Sequence, residues 1–324
     1  MRALLCTEFG PPDKLQLLDV ASPQAGPGEV VVSMKAASVN FPDVLIIENK
    51  YQFKPPLPFS PGSELAGVVK QAGDGVTTVK PGDRVMAFAT YGAFAEEIKL
   101  EAFRVLPMPA GMDFESAAAL LLTYGTMDHA LRDRGSVRAG ETVLVLGASG
   151  GIGLASIEIA KALGARVIAC ASSDEKLQVC KEHLADETIN YASEDLRERI
   201  KALTGGRGVD VISDPVGGSY TEPALRSIAW RGRLLVVGFA AGEIPKIPLN
   251  LTLLKGCSIV GVFWGDFLRR EPHAFAESVA QLHKWYADGS IKPHVSATFS
   301  LAETPEALKL MAGRKVIGKV VVVP

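Results

Sequence analysis

The sequence predicts an α/β protein with a β-rich domain and a second domain built on a doubly wound parallel sheet. The first hundred residues contain short apolar runs between Gly and Pro residues, for example 30–38 and 64–73. Residues 138–173 then show an apolar strand, a Gly-rich turn, a helical segment and a second apolar strand, which is the pattern of a βαβ unit. The alternation of strands and helices continues to about residue 263, as expected for a parallel sheet.

Length and composition narrow the possible functions. The chain has 324 residues, enough for two domains, and its net charge of −2 argues against a nucleic acid or an anionic membrane surface as partner. The longest apolar run, near 117–127, is too short for a membrane span. The four cysteines are far apart and include no CxxC pair. We therefore expect a cytoplasmic protein with free thiols.

The patterns of the second half predict its elements one by one. A helical segment at 115–133 precedes the βαβ unit. Further helices are expected at 174–184, 193–205, 220–229 and 275–289. Strands are expected at 143–147, 166–170, 188–190, 209–214, 232–238 and 258–263.

The Gly-rich turn GASGGIG at 147–153 follows a strand and opens a helix, which is the position of a dinucleotide-binding turn. Glycines let the backbone approach a pyrophosphate, and the helix N-terminus presents free N–H groups to it. Ala148 stands where the usual pattern has its first Gly, so a variant turn geometry is expected. The predicted contacts are Ala148, Ser149, Gly150, Gly151, Ile152 and Gly153.

The end of the second strand favours NADPH over NADH. An acidic residue there would bind the ribose 2′-hydroxyl, but the position carries Ala171. Ser172, Ser173 and Lys176 follow and suit a 2′-phosphate, although the serines also fit a helix-capping role. Asp174 argues mildly for NADH unless it too caps the next helix.

Several segments together resemble the medium-chain dehydrogenase/reductase superfamily, and within it the zinc-independent, ζ-crystallin-like quinone oxidoreductases. The resemblance spans nearly the whole chain and is most specific at 39–69, 79–85, 147–153, 189–191, 232–238 and 318–322. It implies a GroES-like catalytic domain of residues 1–122 with 264–324, and a Rossmann NADPH-binding domain of residues 123–263. It also implies a homodimer formed through the last strand of the Rossmann sheet.

The resemblance adds cofactor contacts beyond the Gly-rich turn. It implies a position for Tyr191 beside the adenosine and for Arg314 as a basic residue from the tail, although Tyr191 also fits plain packing. The remaining implied contacts, near the nicotinamide, are Thr126, Val237, Gly238, Phe239, Ala240, Phe263, Trp264 and Gly265. One departure is His183-Leu184-Ala185, where the family often has Gly in place of Leu184.

Both zinc sites of the similar alcohol dehydrogenases lack their ligands in this sequence. Asn40 stands at the position of a Cys ligand, and Ser63 replaces the His of the His-Glu pair. No cysteine occurs between Cys6 and Cys170, so no structural zinc site is expected either. Without a Lewis acid, acceptors that take hydride readily are favoured.

These observations predict an NADPH-dependent quinone oxidoreductase that transfers hydride without zinc. The predicted catalytic residues are Tyr51, Asn40 and Asp43. Tyr51 is expected to donate a hydrogen bond or proton to the reduced acceptor, or only to cover it, while Asp43 could be purely structural. Two alternatives remain: an enone or enoyl-thioester reductase, which also needs a small-molecule acceptor, and a non-catalytic NADPH-binding sensor or structural protein.

Overall fold

A computed structural model describes residues 1–324, which form two compact units. Unit 1 contains residues 1–122 and 293–324, and unit 2 contains residues 123–292. The first junction coincides with the one expected from the sequence. The second lies at 292/293 instead of 263/264, so residues 264–292 belong to unit 2 rather than to the tail.

Side-chain packing explains the later junction. Trp264 lies directly against Gly125, where an added Cβ would come within 2.8 Å of the indole nitrogen. Phe267 stacks on His129 with ring centroids 4.0 Å apart, and the buried Ser278 donates a hydrogen bond to Asp128. The segment after residue 263 therefore continues the core of unit 2.

Unit 1 is built on a seven-stranded sheet with the order β14-β15-β3-β4-β5-β7, in which β6 also pairs with β3. A separate two-stranded sheet joins β1 and β2 antiparallel. The strands are β1 (Arg2–Leu5), β2 (Gln16–Asp19), β3 (Glu29–Val39), β4 (Glu64–Ala72), β5 (Arg84–Phe88), β6 (Glu97–Glu101), β7 (Val105–Pro107), β14 (Val295–Ser300) and β15 (Lys319–Val323). The helices are α1 (Phe41–Ile47), α2 (Phe114–Ala118) and α11 (Thr304–Ala312).

Unit 2 is a six-stranded parallel sheet with the order β10-β9-β8-β11-β12-β13. Numbered from β8, this is the 3-2-1-4-5-6 order of a dinucleotide-binding fold. The strands are β8 (Thr142–Leu146), β9 (Arg166–Ala171), β10 (Glu187–Asn190), β11 (Val209–Asp214), β12 (Ile228–Val236) and β13 (Ser258–Gly261). The helices are α3 (Leu121–Asp128), whose first two residues belong to unit 1, and α4 (Gly151–Ala162), α5 (Asp174–Glu182), α6 (Leu196–Leu203), α7 (Thr221–Arg226), α8 (Asn250–Lys255), α9 (Trp264–Arg270) and α10 (Pro272–Ala287).

Two expected helices differ from the structure. The segment expected as one helix at 115–133 consists of α2, α3 and a π-helical stretch at His129–Arg134. The helix expected at 220–229 ends at Arg226, because Ile228 already begins β12 as a buried strand residue. No helix of the chain combines the length and the apolar character that crossing a membrane requires.

Candidate functional site

A buried polar cluster lies in unit 1 where three strands meet, and strand register accounts for its composition. Ser38 pairs with Glu64 across β3 and β4, and Val320 pairs with Val39 across β15 and β3. Continuing that antiparallel register brings Lys319 opposite Asn40. Because side chains alternate along a strand, residues 38 and 40 point to the same face. Side chains from the two ends of the sequence therefore converge at one edge of the sheet.

Hydrogen bonds join these side chains into one network. The Ser38 hydroxyl donates to Glu64 Oε2 at 2.6 Å, and the Leu122 backbone N–H donates to Glu64 Oε1 at 2.8 Å. Lys319 Nζ donates to Asn40 Oδ1 at 2.5 Å and lies 3.5 Å from Glu64 Oε2. The Asn40 amide nitrogen in turn donates to Ser38 Oγ at 3.1 Å. The side chains of Ser38, Asn40, Glu64 and Lys319 are all buried, which makes satisfied hydrogen bonds necessary.

This donor set does not fit a zinc ion. The amide oxygen of Asn40 and the carboxylate of Glu64 already face the Lys319 ammonium, which would repel a second cation. Ser63 offers only a neutral hydroxyl, and its side chain is buried. Zinc sites use thiolate, imidazole or carboxylate ligands in a tetrahedral array. The residues present supply the carboxylates of Glu64 and Asp43, both of which already accept hydrogen bonds, and no thiolate or imidazole.

Asp43 has an unusual environment at the start of α1. Its carboxylate accepts a 2.7 Å hydrogen bond from the backbone N–H of Asn40, which caps the helix. Burial raises the pKa of Asp43 from 3.8 to about 7, although the hydrogen bond from Asn40, the Ser63 hydroxyl and the charge of Lys319 all act to lower it. Asp43 can therefore gain or lose a proton near neutral pH.

Tyr51 lies beyond the end of α1 and packs, partly buried, against the core of unit 1. Burial raises the pKa of its phenol, and the charge of Asp43 raises it further. Tyr51 is therefore protonated at neutral pH and can act as a donor. The structure thus joins Asn40 and Asp43 by a hydrogen bond, and Tyr51 lies close enough for the charge of Asp43 to act on its phenol. Asn40 is almost wholly buried, and its amide group is engaged.

The Gly-rich turn of unit 2 has room for a dinucleotide backbone. Gly147 takes the positive φ of the turn, +60°, so Ala148 needs no left-handed conformation and is tolerated. A Cβ at Gly153 would lie 2.4 Å from the Gly147 carbonyl oxygen, which shows how closely α4 approaches the end of β8. At Gly150, by contrast, the nearest atom to an added Cβ is 3.7 Å away. The entrance to α4 is open, and it fits a pyrophosphate at a helix N-terminus.

The end of β9 presents hydroxyl and ammonium donors. Lys176 Nζ lies 3.4 Å from the exposed Ser172 hydroxyl, while the Ser173 hydroxyl caps α5 by accepting from the Lys176 backbone N–H. The carboxylate of Asp174 accepts a 2.9 Å hydrogen bond from the Asn190 side chain. The side chain of Asp174 is therefore tied to the last residue of β10.

Most of the other expected cofactor contacts follow the carboxyl ends of parallel strands, where ligands bind in such sheets. The structure places Tyr191 after β10, the segment 237–240 after β12, and Phe263 to Gly265 after β13. Phe263 is exposed, whereas the Trp264 side chain is buried against α3. Thr126 lies within α3, and Arg314 belongs to unit 1.

Two residues at this sheet edge were not expected from the sequence. The Asp214 carboxylate accepts backbone N–H groups from Val216 and Gly217 and the hydroxyl of Thr221, which shapes the loop after β11. Tyr220 packs against Tyr191 with ring centroids 4.4 Å apart. An Asp at a strand end followed by Pro and two glycines was the available signal for this loop.

Comparison with known proteins gives the family. The alcohol dehydrogenase GroES-like domain matches residues 26–110, and the zinc-binding dehydrogenase family matches residues 151–284. Quinone oxidoreductase-like protein 2 homolog of Nematostella vectensis is 40% identical over 325 residues, covering 99% of this chain and 88% of the relative. The chain belongs to the medium-chain dehydrogenase/reductase superfamily.

Solved structures of this superfamily agree over the whole chain. The Escherichia coli quinone oxidoreductase complexed with NADPH has a TM-score of 0.93 and 30% identity, and covers 100% of both chains. A native mycobacterial protein complexed with NADPH has a TM-score of 0.93 and 32% identity, again with 100% coverage of both chains. The expected family and fold class are thus confirmed, and the relatives support an oxidoreductase that binds a nicotinamide cofactor.

Proposed function

We propose that the protein is an NADPH-dependent reductase that transfers hydride to quinone-type acceptors without zinc. The observation that carries the proposal is the Lys319 ammonium, which faces Asn40 and Glu64 and so leaves no ligand set for a metal. A quinone needs no Lewis acid, because the oxyanion formed on reduction is delocalised over its ring. The names of the relatives, quinone oxidoreductase-like protein 2 and quinone oxidoreductase, point to the same acceptor class.

NADPH, when bound, supplies the hydride. The chain's own residues hold the cofactor in place. The open entrance at Gly150 and the first turn of α4 receive the pyrophosphate. Lys176 and Ser172 at the end of β9 bind the 2′-phosphate, and the tie between Asp174 and Asn190 keeps a competing carboxylate occupied.

Tyr51 and Asp43 supply the proton that the reduced acceptor takes up. Tyr51 remains protonated at neutral pH and donates a hydrogen bond, and then its proton, to the reduced oxygen. Asp43, with a pKa of about 7, returns a proton to Tyr51. Asn40 is buried with both ends of its amide engaged, so we assign it a positioning role in place of direct contact with the acceptor.

Anaerobic oxidation of NADPH by the purified protein tests this proposal. A quinone series and a matched enone series are compared at equal concentrations, with NADH in parallel. We expect kcat/KM for quinones to exceed that for enones by more than about tenfold, which corresponds to about 1.4 kcal/mol in the transition state. Equal use of NADH and NADPH would contradict the assignment of Ser172 and Lys176.

An enone or enoyl-thioester reductase is the second candidate. The pairing of a protonated tyrosine with a carboxyl group that titrates near neutrality favours it, because alkene reduction needs a proton at carbon. Faster turnover of enones in the same assay would select this function. Tight NADPH binding without turnover of either series would instead indicate a sensor or structural protein.

We also propose that the protein forms a homodimer through β13. This strand pairs only with β12 and so presents a free edge. Several large apolar side chains on and near this end of unit 2 are exposed, although such residues usually avoid water. They are Trp230, Leu249, Leu253, Leu254, Ile259 and Phe263.

Light scattering after size-exclusion chromatography tests the dimer. The wild-type protein is expected at twice its 34.4 kDa chain mass, and Ile259→Lys, on the edge strand, at the monomer mass. Leu18→Lys is the matched control because Leu18 is similarly exposed but lies on β2 of unit 1. A monomeric wild-type protein would contradict the proposal.

A further inference from the structure

Lys319 is a lysine with almost no access to solvent. It opens β15, and its side chain is 3% exposed beside a Glu64 side chain that is fully buried. Lysine is rarely buried unless it is paired, because removing its charge from water is costly. Burial lowers the pKa of Lys319, while the charges of Glu64 and Asp43 oppose that shift. The carboxylates around Lys319 thus oppose the loss of its proton.

The ammonium determines how Asn40 is oriented. Lys319 has only donors, so the atom of the Asn40 amide that faces it at 2.5 Å must be the oxygen. The amide nitrogen then points to Ser38 and Glu64. The backbone N–H of the same Asn40 donates to Asp43. Lys319 is therefore linked to Asp43 through one residue, and also by direct charge attraction.

We propose that Lys319 is a positioning residue for the reaction: its ammonium fixes the Asn40 side chain and, by its charge, favours the ionised form of Asp43. The charged and titratable groups that face Asp43 are Lys319 from β15, Glu64 from β4 and Tyr51 beyond α1. The inference rests on the proposed function for its kinetic consequence. In that reaction the Tyr51 proton passes to the reduced acceptor, the Asp43 proton passes to the Tyr51 oxygen, and solvent reprotonates Asp43.

Carboxyl-carbon NMR of protein labelled at aspartate tests the electrostatic part without any acceptor. Asp43→Asn assigns the signal. In Lys319→Met we expect the Asp43 midpoint to rise by about one pH unit, because a nearby positive charge is lost. In Glu64→Gln we expect it to fall, because a nearby negative charge is lost. Lys319→Arg keeps the charge, so the Asp43 midpoint in this variant is expected within about half a pH unit of the wild-type value.

The decisive result is a rise of the Asp43 midpoint in Lys319→Met together with a fall in Glu64→Gln. A purely structural role for Lys319 does not predict shifts in opposite directions. An unchanged Asp43 midpoint in Lys319→Met, or shifts in the same direction in both variants, would overturn the inference. If Lys319→Met does not fold, Lys319→Gln, which also removes the charge, replaces it under the same criteria.

The pH profile of kcat with a quinone tests the catalytic part. In Lys319→Met we expect the limb governed by Asp43 to move to higher pH by the amount seen in the titration, while KM changes less than about twofold. Lys35→Met, at an exposed position of β3, should leave the profile unchanged. An equal loss of kcat at every pH would contradict the inference. Absence of quinone turnover in the wild type would refute the proposed function, whereas the NMR titration would still decide the role of Lys319.

Discussion

The ammonium of Lys319 lies 2.5 Å from the side-chain oxygen of Asn40, although 279 residues separate the two in the sequence. The contact forms where β15 and β3 run antiparallel, and Glu64 completes it from β4. The buried ammonium of Lys319 thereby links the two sequence segments of unit 1, residues 1–122 and 293–324.

The first prediction concerns the strength of this buried pair. Lys319→Met and Glu64→Gln should each lower the free energy of unfolding by about 3–5 kcal/mol, because each leaves an unpaired buried charge. The double variant should lose less than the sum of the two, since neither charge then remains. Denaturant unfolding of the wild type, the two single variants and the double variant measures the coupling free energy of the pair. The more exposed pair Lys99 and Glu29, whose side chains are 42% and 31% exposed, is the control and should show a coupling below about 1 kcal/mol.

The second prediction concerns pH and stability. Folding raises the pKa of Asp43 from 3.8 to about 7, so the folded state binds this proton more tightly than the unfolded chain. The resulting stabilisation is complete below about pH 4 and is lost as the pH rises through about 7, and its size is on the order of 4 kcal/mol. Asp43→Asn lacks this dependence and should become more stable relative to the wild type as the pH rises from about 4 to about 7. Parallel pH profiles for the two proteins would contradict the account.

The third prediction concerns the turn after α5. Leu184 has a φ of +71°, and its N–H and that of Ala185 close a Schellman motif on Lys181 and Cys180. A side chain with a Cβ is strained there, and Leu184 is 63% exposed, so little packing is at stake. Leu184→Gly should raise the free energy of unfolding by about 0.5–1 kcal/mol. A loss of stability would show that Leu184 makes contacts outweighing the backbone strain.

The fourth prediction concerns cofactor choice. Lys176→Ala should weaken NADPH binding about tenfold and leave NADH binding nearly unchanged, because only NADPH carries the 2′-phosphate. Calorimetric titration with both cofactors measures the two affinities. Lys181→Ala, on the same helix but in its last turn, is the matched control. If Lys176→Ala weakens the binding of NADPH and NADH equally, Lys176 does not bind the 2′-phosphate.

Local sequence signals predicted most of this fold. Alternating strands and helices predicted the parallel sheet of unit 2. The Gly-rich turn showed where β8 ends, because the spacing of its glycines can be read directly from the sequence. The pattern could not reveal that α9 and α10 stay with unit 2, since that depends on contacts such as Trp264 against Gly125. The segment 115–133 was expected as one helix because apolar spacing does not show where a π-helical stretch begins.

The site was predictable only in part. Asn40, Asp43 and Tyr51 lie close in the sequence, and the family resemblance drew attention to them. Lys319 had no such signal beyond a lysine at the start of the apolar run KVVVV, because its partners come from strands far away along the chain. The absence of Gly at Leu184 was visible in the sequence, whereas the positive φ there required the structure.

The most direct test of the central claim is an anaerobic competition in one vessel. The protein receives NADPH with a quinone and an enone at equal concentrations, and both products are quantified before a tenth of either acceptor is consumed. The product ratio then equals the ratio of the two kcat/KM values. We predict hydroquinone in excess by more than about tenfold, corresponding to about 1.4 kcal/mol. An excess of the saturated ketone would contradict the proposed function and assign the protein to alkene reduction.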